Sequence, residues 1–543
     1  LDDIMKNGTY RQKSVYGLRS MNDGLHYTIL ESDRGGKSIV KYAYKSGDKV
    51  ASILAESTFK DLAKNAEASL DGYEFSADET KVLVSYDSEH IYRRSSRDRY
   101  YVVDLKNNTA TQIAGGERVR NGAFSPDGKK LSYIKDNNIY IQDLATNQTT
   151  QVTTDGEYNK IINGFADWVY EEEFAFNQAY FWSPNSQMLA FYRFDESNVK
   201  EFHMPLFNGL YPEDYSFKYP KAGEDNSKVT IHLYDVKGGK TQDLSLGDYE
   251  YIPRIKWTQT SDYLAVMRMP RLQNELYIDV VKTSDLSVQN IYTEKSDTYI
   301  EISDDLTFYG NNACFIWRSE KDGFFHLYSY GFNGKGEKQL TSGDWEVKEF
   351  IGYSEKSKQL FFLASKSAPI NTAIYSVSIK GGKVNPLSNE VGTSYASFSK
   401  SFDYFIEYYN TANTPRVVTL KDAKGKQVRV LESNEELASK MEDLALPKVE
   451  FFDFNTSEDV KLNGWMIKPS NFDENKEYPV LMFVYGGPGS QTVTNAFSGN
   501  YWWHQMMAEQ GYIVVSVDNR GTGARGKAFR SQTYKQLGKY ETM

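Results

Sequence analysis

A single cysteine, Cys314, stands among 543 residues. It excludes a disulfide framework within the chain and any cysteine-rich metal site. Long apolar runs are missing too. None reaches the ~20 residues that a membrane-spanning helix needs, so no segment reads as crossing a bilayer. Positive charge is in deficit, with 63 Lys and Arg against 73 Asp and Glu. The net charge of −10 argues against a general nucleic-acid binder, which needs basic patches. No ligand spacing for a metal or an organic cofactor occurs. Histidine is scarce, with six in all, whereas Tyr, Phe and Trp number 41, 30 and 8. A chain this aromatic, with 25% charged residues, is not disordered. It is also too long for one hydrophobic core unless a repeat spreads that core out.

A repeat is present. The phrase Phe124-Ser125-Pro126-Asp127-Gly128 runs into Leu131-Ser132-Tyr133, and Trp182-Ser183-Pro184-Asn185 runs into Leu189-Ala190-Phe191-Tyr192. Degenerate copies start near Met21, Phe75, Trp257, Asp304, Tyr353 and Phe398. Pro and Asx or Gly set a tight turn, and β-branched and aromatic residues then alternate along a strand. The spacing of roughly 50 residues suits four strands with long loops, and about eight copies fit between Tyr10 and Lys440. This predicts an all-β, eight-bladed propeller over 13–443, after an N-terminal segment 1–12. Stacked β-sandwiches are the plainer alternative. Met204 to Asp225, rich in Tyr, Pro and Asp, reads as an arm or insertion.

After a polar helix-forming stretch, Ser433 to Leu444, the pattern changes. Val480 to Tyr485 is a continuous apolar run, as expected of a strand buried on both faces. A helix from Trp502 to Gln510, closed by Gly511, and an apolar strand from Tyr512 to Asp518 follow. Strand, glycine loop, helix and strand make a βαβ unit, the start of a parallel α/β sheet over 444–543.

Three segments carry possible chemistry. In Tyr485-Gly486-Gly487-Pro488-Gly489-Ser490 the glycines let backbone approach a substrate oxygen, and the tyrosine hydroxyl can donate to a developing oxyanion. The same segment also reads as a tight βα turn. In Asp167-Trp168-Val169-Tyr170-Glu171-Glu172-Glu173-Phe174, adjacent carboxylates lie among aromatics and repel unless a cation intervenes. That cation is a protein arginine, a metal or a ligand ammonium. Tyr92-Arg93-Arg94-Ser95-Ser96-Arg97 is either a solvated loop or the source of the cation, with Arg suited to a bidentate contact.

Taken together these segments resemble the dipeptidyl peptidase IV branch of the prolyl oligopeptidase family, across essentially the whole chain. Asp518-Asn519-Arg520-Gly521-Thr522-Gly523 is similar to that family's segment after the following strand and reads as structural. The resemblance implies an eight-bladed propeller capping an α/β-hydrolase domain, and a serine exopeptidase that removes N-terminal dipeptides with Pro or Ala second. By motif position, Glu172 and Glu173 bind the substrate's α-ammonium. Arg93 binds a substrate carbonyl and braces the glutamates, and Tyr485 donates to the oxyanion. Tyr299 is a weaker match to the pocket for the first residue. The resemblance also implies peptide substrates with a free N-terminus, a homodimer, and an exported protein that is periplasmic or at the cell surface.

The sequence departs from the family in one respect. No Gly-x-Ser-x-Gly nucleophile elbow occurs, and the nearest lookalike, Leu327-Tyr328-Ser329-Tyr330-Gly331, lies in a strand pattern. The expectation is therefore an incomplete hydrolase domain: the triad falls beyond Met543, and the chain alone is inactive. The start at Leu1, without Met or a signal-like stretch, reads as a trimmed N-terminus. The rival readings are a non-enzymatic propeller that binds peptides or glycans, and a tripeptidyl peptidase or endopeptidase of the same fold.

Overall fold

The computed structural model describes residues 1–34 and 36–543. Its repeating unit begins with a local turn. Ser125 Oγ donates to Asp127 Oδ1 (2.7 Å) and accepts from the Lys130 N–H (3.0 Å), while Gly128 takes a φ of +64°. Ser76 with Asp78 (2.6 Å) and Ser183 with Asn185 (2.8 Å) repeat the arrangement. A hydroxyl placed this way satisfies backbone groups that a tight reversal leaves over. The turns also stitch neighbouring units, because Asp127 N–H donates to Ser186 Oγ (2.9 Å) and Asn185 N–H to Ser261 Oγ (3.0 Å).

Among the described residues, eight antiparallel sheets of four or five strands follow one another along the chain, at 19–55, 72–112, 120–151, 161–243, 251–295, 307–339, 347–386 and 393–432. Each packs its apolar faces on the next. Ile39 and Leu54 of the first meet Val82 and Val84 of the second, and Phe361 and Ile374 of the seventh meet Phe405 of the eighth. The eighth meets the first, through Ile406, Val418 and Leu420 against Tyr27 and Tyr44. This is propeller architecture, and the aromatic surplus fills the layers between sheets. The expected arm is a hairpin, Glu201–Leu206 paired with Glu213–Lys218, standing apart from the fourth sheet.

A helix, Glu435–Asp443, leads to the hydrolase-type part. Its elements are β1 (Glu450–Asn455), β2 (Lys461–Ile467), β3 (Val480–Met482), α1 (Tyr501–Glu509), β4 (Ile513–Asp518) and α2 (Lys527–Arg530). The sheet order is β1-β2-β4-β3, with β3 and β4 parallel as the βαβ pattern requires. One expectation fails. The run 480–485 is not buried on both faces: strand pairing ends at Met482, and Val480 and Met482 are 60% and 55% exposed. Among the described residues β3 pairs on one side only, and Leu481 and Phe483 alone pack on the core beneath.

A polar seam joins the two parts. Lys348 Nζ donates to Gln491 Oε1 (3.0 Å), Gly526 N–H to Glu346 Oε1 (2.8 Å) and Phe497 N–H to Asn410 Oδ1 (2.7 Å).

Candidate active site

The acidic segment folds as a short helix, Trp168–Glu173. Asp167 caps it, accepting from the Tyr170 N–H at 2.9 Å and from Ser227 Oγ at 2.5 Å. Positions 167, 170, 171 and 174 then share the inner face, as helical spacing dictates. Tyr170 is 1% exposed among Phe174, Phe176 and Phe194, and its hydroxyl accepts from the Ile252 N–H (3.0 Å). Complete burial pushes the Asp167 carboxyl up from the ordinary aspartate range. Nearby, burial first and the Asp167 charge second push Glu196 up to about 8.

The three glutamates therefore differ. Glu171 is buried and committed: its Oε1 accepts from the Arg94 N–H (2.8 Å), and its carbonyl accepts from Arg94 Nε (3.2 Å). Glu172 is part-exposed and pairs with Arg93 Nη2 at 2.9 Å. Glu173 is exposed, and among the described residues its carboxylate makes no hydrogen bond or ion pair. The arginine loop thus supplies the cations that the acidic run needs. Two carboxylates opposite one guanidinium leave a net negative charge at the exposed edge. Arg120, laid over the Phe165 ring at 4.2 Å and brought down to about 10 by burial, lies near the buried Glu171.

The hairpin arm completes this wall, a role its sequence did not disclose. Tyr92 and Tyr215 share a hydroxyl–hydroxyl hydrogen bond (2.8 Å), and Trp168 meets Tyr219 edge-on at 4.5 Å between ring centroids. The available signal was the alternation Tyr215, Phe217, Tyr219, which marks one apolar face of a strand.

Tyr485 lies elsewhere, on the loop after β3. It is 75% exposed. Its ring covers Gly487, where a Cβ would stand 2.7 Å from a ring carbon. Gly486 and Gly489 take φ of +73° and +71°. The segment after β4 fastens this loop, consistent with a structural role. Asn519 Nδ2 donates to the Gly486 carbonyl (3.2 Å), Gly489 N–H to the Gly521 carbonyl (2.8 Å) and Gly523 N–H to the Ser490 carbonyl (3.0 Å). On the propeller side the loop meets Glu301, beside Tyr299. The structure thus brings Arg93 to Glu172 and sets Tyr299 near the Tyr485 loop, in two clusters.

Among the described residues, none of the six histidines completes a serine triad. Ser329 is buried in the strand His326–Gly331, where it bonds Tyr309. His232 does sit between Thr230 (2.8 Å) and Asp243 (2.7 Å). Thr230 lies mid-strand, however, where ladder pairing with Arg193 leaves no free pair of N–H groups for an oxyanion.

Comparisons with known proteins identify the family. Residues 76–416 match the dipeptidyl peptidase IV (DPP IV) N-terminal region, and residues 497–543 match the prolyl oligopeptidase family. Dipeptidyl peptidase 4 of Trichophyton equinum is 30% identical over 490 residues, which is 86% of this chain and 63% of that protein. The Trichophyton rubrum protein of the same name gives the same figures. A crystal structure of Porphyromonas gingivalis dipeptidyl peptidase 4 is 39% identical with a TM-score of 0.93, covering 99% of this chain and 76% of that one. The chain therefore spans somewhat under two thirds of the length of these curated relatives.

Proposed function

The chain belongs to the dipeptidyl peptidase IV branch of the prolyl oligopeptidase family, and from that premise we propose that it provides the N-terminus recognition and oxyanion groups of a serine exopeptidase releasing Xaa-Pro and Xaa-Ala dipeptides. The observation that carries the reading is the exposed edge of the acidic helix. There Glu172 is tied to Arg93 and Glu173 is unengaged. A substrate ammonium placed between the two carboxylates gains charge-assisted hydrogen bonds and offsets their repulsion. Carboxylates that take a free ammonium select peptides with an unblocked N-terminus, which is the preference of an exopeptidase.

Arg93 spends one nitrogen on Glu172 and keeps other N–H groups for the carbonyl of the first residue. Tyr485, exposed on its glycine loop, donates its hydroxyl to the oxyanion as the carbonyl of the second residue is attacked. The 543 residues hold no Gly-x-Ser-x-Gly. In this reading the serine, histidine and aspartate lie outside them, and the hydrolase sheet seen here is a part of the domain.

The eight sheets are the blades of one closed propeller, read as 13–443, with 1–12 before it and the hydrolase part from 444. Export follows the family, and among the described residues no helix is long and apolar enough to cross a membrane. Homodimerisation follows the family as well, and the arm offers a surface for it: Phe207, Leu210 and Tyr211 at its tip are 77%, 99% and 85% exposed.

The test is release of Gly-Pro from a chromogenic Gly-Pro amide by the full-length protein. Glu172→Ala and Glu173→Ala should each lower kcat/KM by about a hundredfold, because a charged partner is left unpaired. Wild-type activity in either variant shows that the ammonium is held elsewhere. No release by the wild-type protein favours a propeller that only binds.

A further inference from the structure

Arg530 belongs to the hydrolase-type part, yet its guanidinium is buried in the propeller. It is 3% exposed, donates from Nη1 to Glu301 Oε1 (2.8 Å) and from Nη2 to the fully buried Glu320, and lies 4.8 Å from the Tyr299 ring centroid. Both glutamates come from the propeller, one at the entrance to the sixth sheet and one in the turn after its second strand. Two carboxylates hold its charge so firmly that it is raised above the ordinary arginine range despite burial. The other end of the same contact is the oxyanion loop. A Cβ on Gly489 would lie 3.4 Å from Glu301 Oε1 and 3.8 Å from Arg530 Cδ, so the loop rests directly on this ion pair. Gly489 has no side chain and a φ of +71°, and its N–H is bound to the Gly521 carbonyl (2.8 Å). Its height over the propeller is therefore set by what lies under it.

We propose that Arg530 is a positioning residue that, with Glu301 and Glu320, seats the Tyr485–Ser490 loop on the propeller and so fixes Tyr485 relative to the substrate held at Glu172 and Glu173. The inference rests on the reading of Tyr485 as the oxyanion donor. Tyr485 is exposed and lies against its own loop at Gly487. The ammonium site lies in a different cluster on the propeller. Losing the seat should accordingly disturb the transition state and spare ground-state binding.

The experiment measures kcat and KM for Gly-Pro amide hydrolysis by the full-length protein. The variants are Arg530→Met paired with Glu320→Gln, Arg530→Lys, and Glu301→Gln. The paired change keeps the stem and removes both buried charges, and the carboxylate left unpaired, Glu301, is 41% exposed and solvated. Expected is a kcat about tenfold to a hundredfold lower with KM within about twofold, since small misplacements of a reacting group cost this much. Arg530→Lys should recover part of kcat, and Glu301→Gln, which leaves the buried pair intact, should lower kcat by less. A wild-type kcat in the folded paired variant overturns the proposal. So does a rise in KM at constant kcat, which would mean that the cluster only binds substrate. Should the paired variant not fold, an unchanged kcat in both Arg530→Lys and Glu301→Gln overturns it equally. A wild-type protein that releases no dipeptide overturns the underlying reading and the proposal with it, whereas an active wild type with unaffected variants overturns the proposal alone.

Discussion

Behind the acidic helix, burial acts on Asp167 and Glu196 in the same direction, raising both carboxyl pKa values. For Glu196 the folded value is about 8, against the ordinary glutamate range in the unfolded chain. The sign follows from proton linkage. The folded state keeps a proton that the unfolded state releases, so this contribution to stability is whole at acidic pH and is lost as pH climbs towards about 8. Thermal unfolding between about pH 5 and about pH 9 should show a midpoint that falls with pH, and Glu196→Gln should flatten that fall. A variant with the wild-type slope would remove Glu196 from the account. At the same scale, helix geometry and the arginine loop separate the identical residues Glu171, Glu172 and Glu173 into one buried carboxylate, one paired with Arg93 and one exposed.

At the scale of elements, the sequence disclosed whatever was local. The propeller sheets were legible because Ser-x-Asp and Ser-x-Asn turns recur at Ser76, Ser125 and Ser183, and each closes through its own side chain. The acidic segment stood out by its run of carboxylates among aromatics, but its capped helix and inner face were not read from the sequence. The exposure of Val480 and Met482 was not legible, because an apolar run does not reveal which neighbours cover it. Nor was the Arg530 cluster, whose partners Glu320 and Glu301 are 210 and 229 residues away. The arm was seen only as an insertion, and its exposed tip makes a prediction of its own. Replacing Leu210 and Tyr211 by aspartate should convert a homodimer to a monomer in sedimentation, because a buried apolar contact would become a charged one. An unchanged sedimentation coefficient would place any dimer contact elsewhere.

At the scale of the whole molecule, the groups proposed for recognition and for the oxyanion lie in different parts. The propeller carries Arg93, Glu172 and Glu173, and the hydrolase-type part carries Tyr485. Lys348, Glu346, Asn410 and the Arg530 cluster hold the two in register across the seam. The most direct test of the central claim, that Glu172 and Glu173 receive a free N-terminus, is a calorimetric titration of the protein with Ile-Pro and with N-acetyl-Ile-Pro. The account predicts that acetylation weakens binding by at least about thirtyfold, as expected when a charged partner is lost from a pair of carboxylates, and that Glu173→Ala removes the difference. Equal affinity for the two peptides would contradict it.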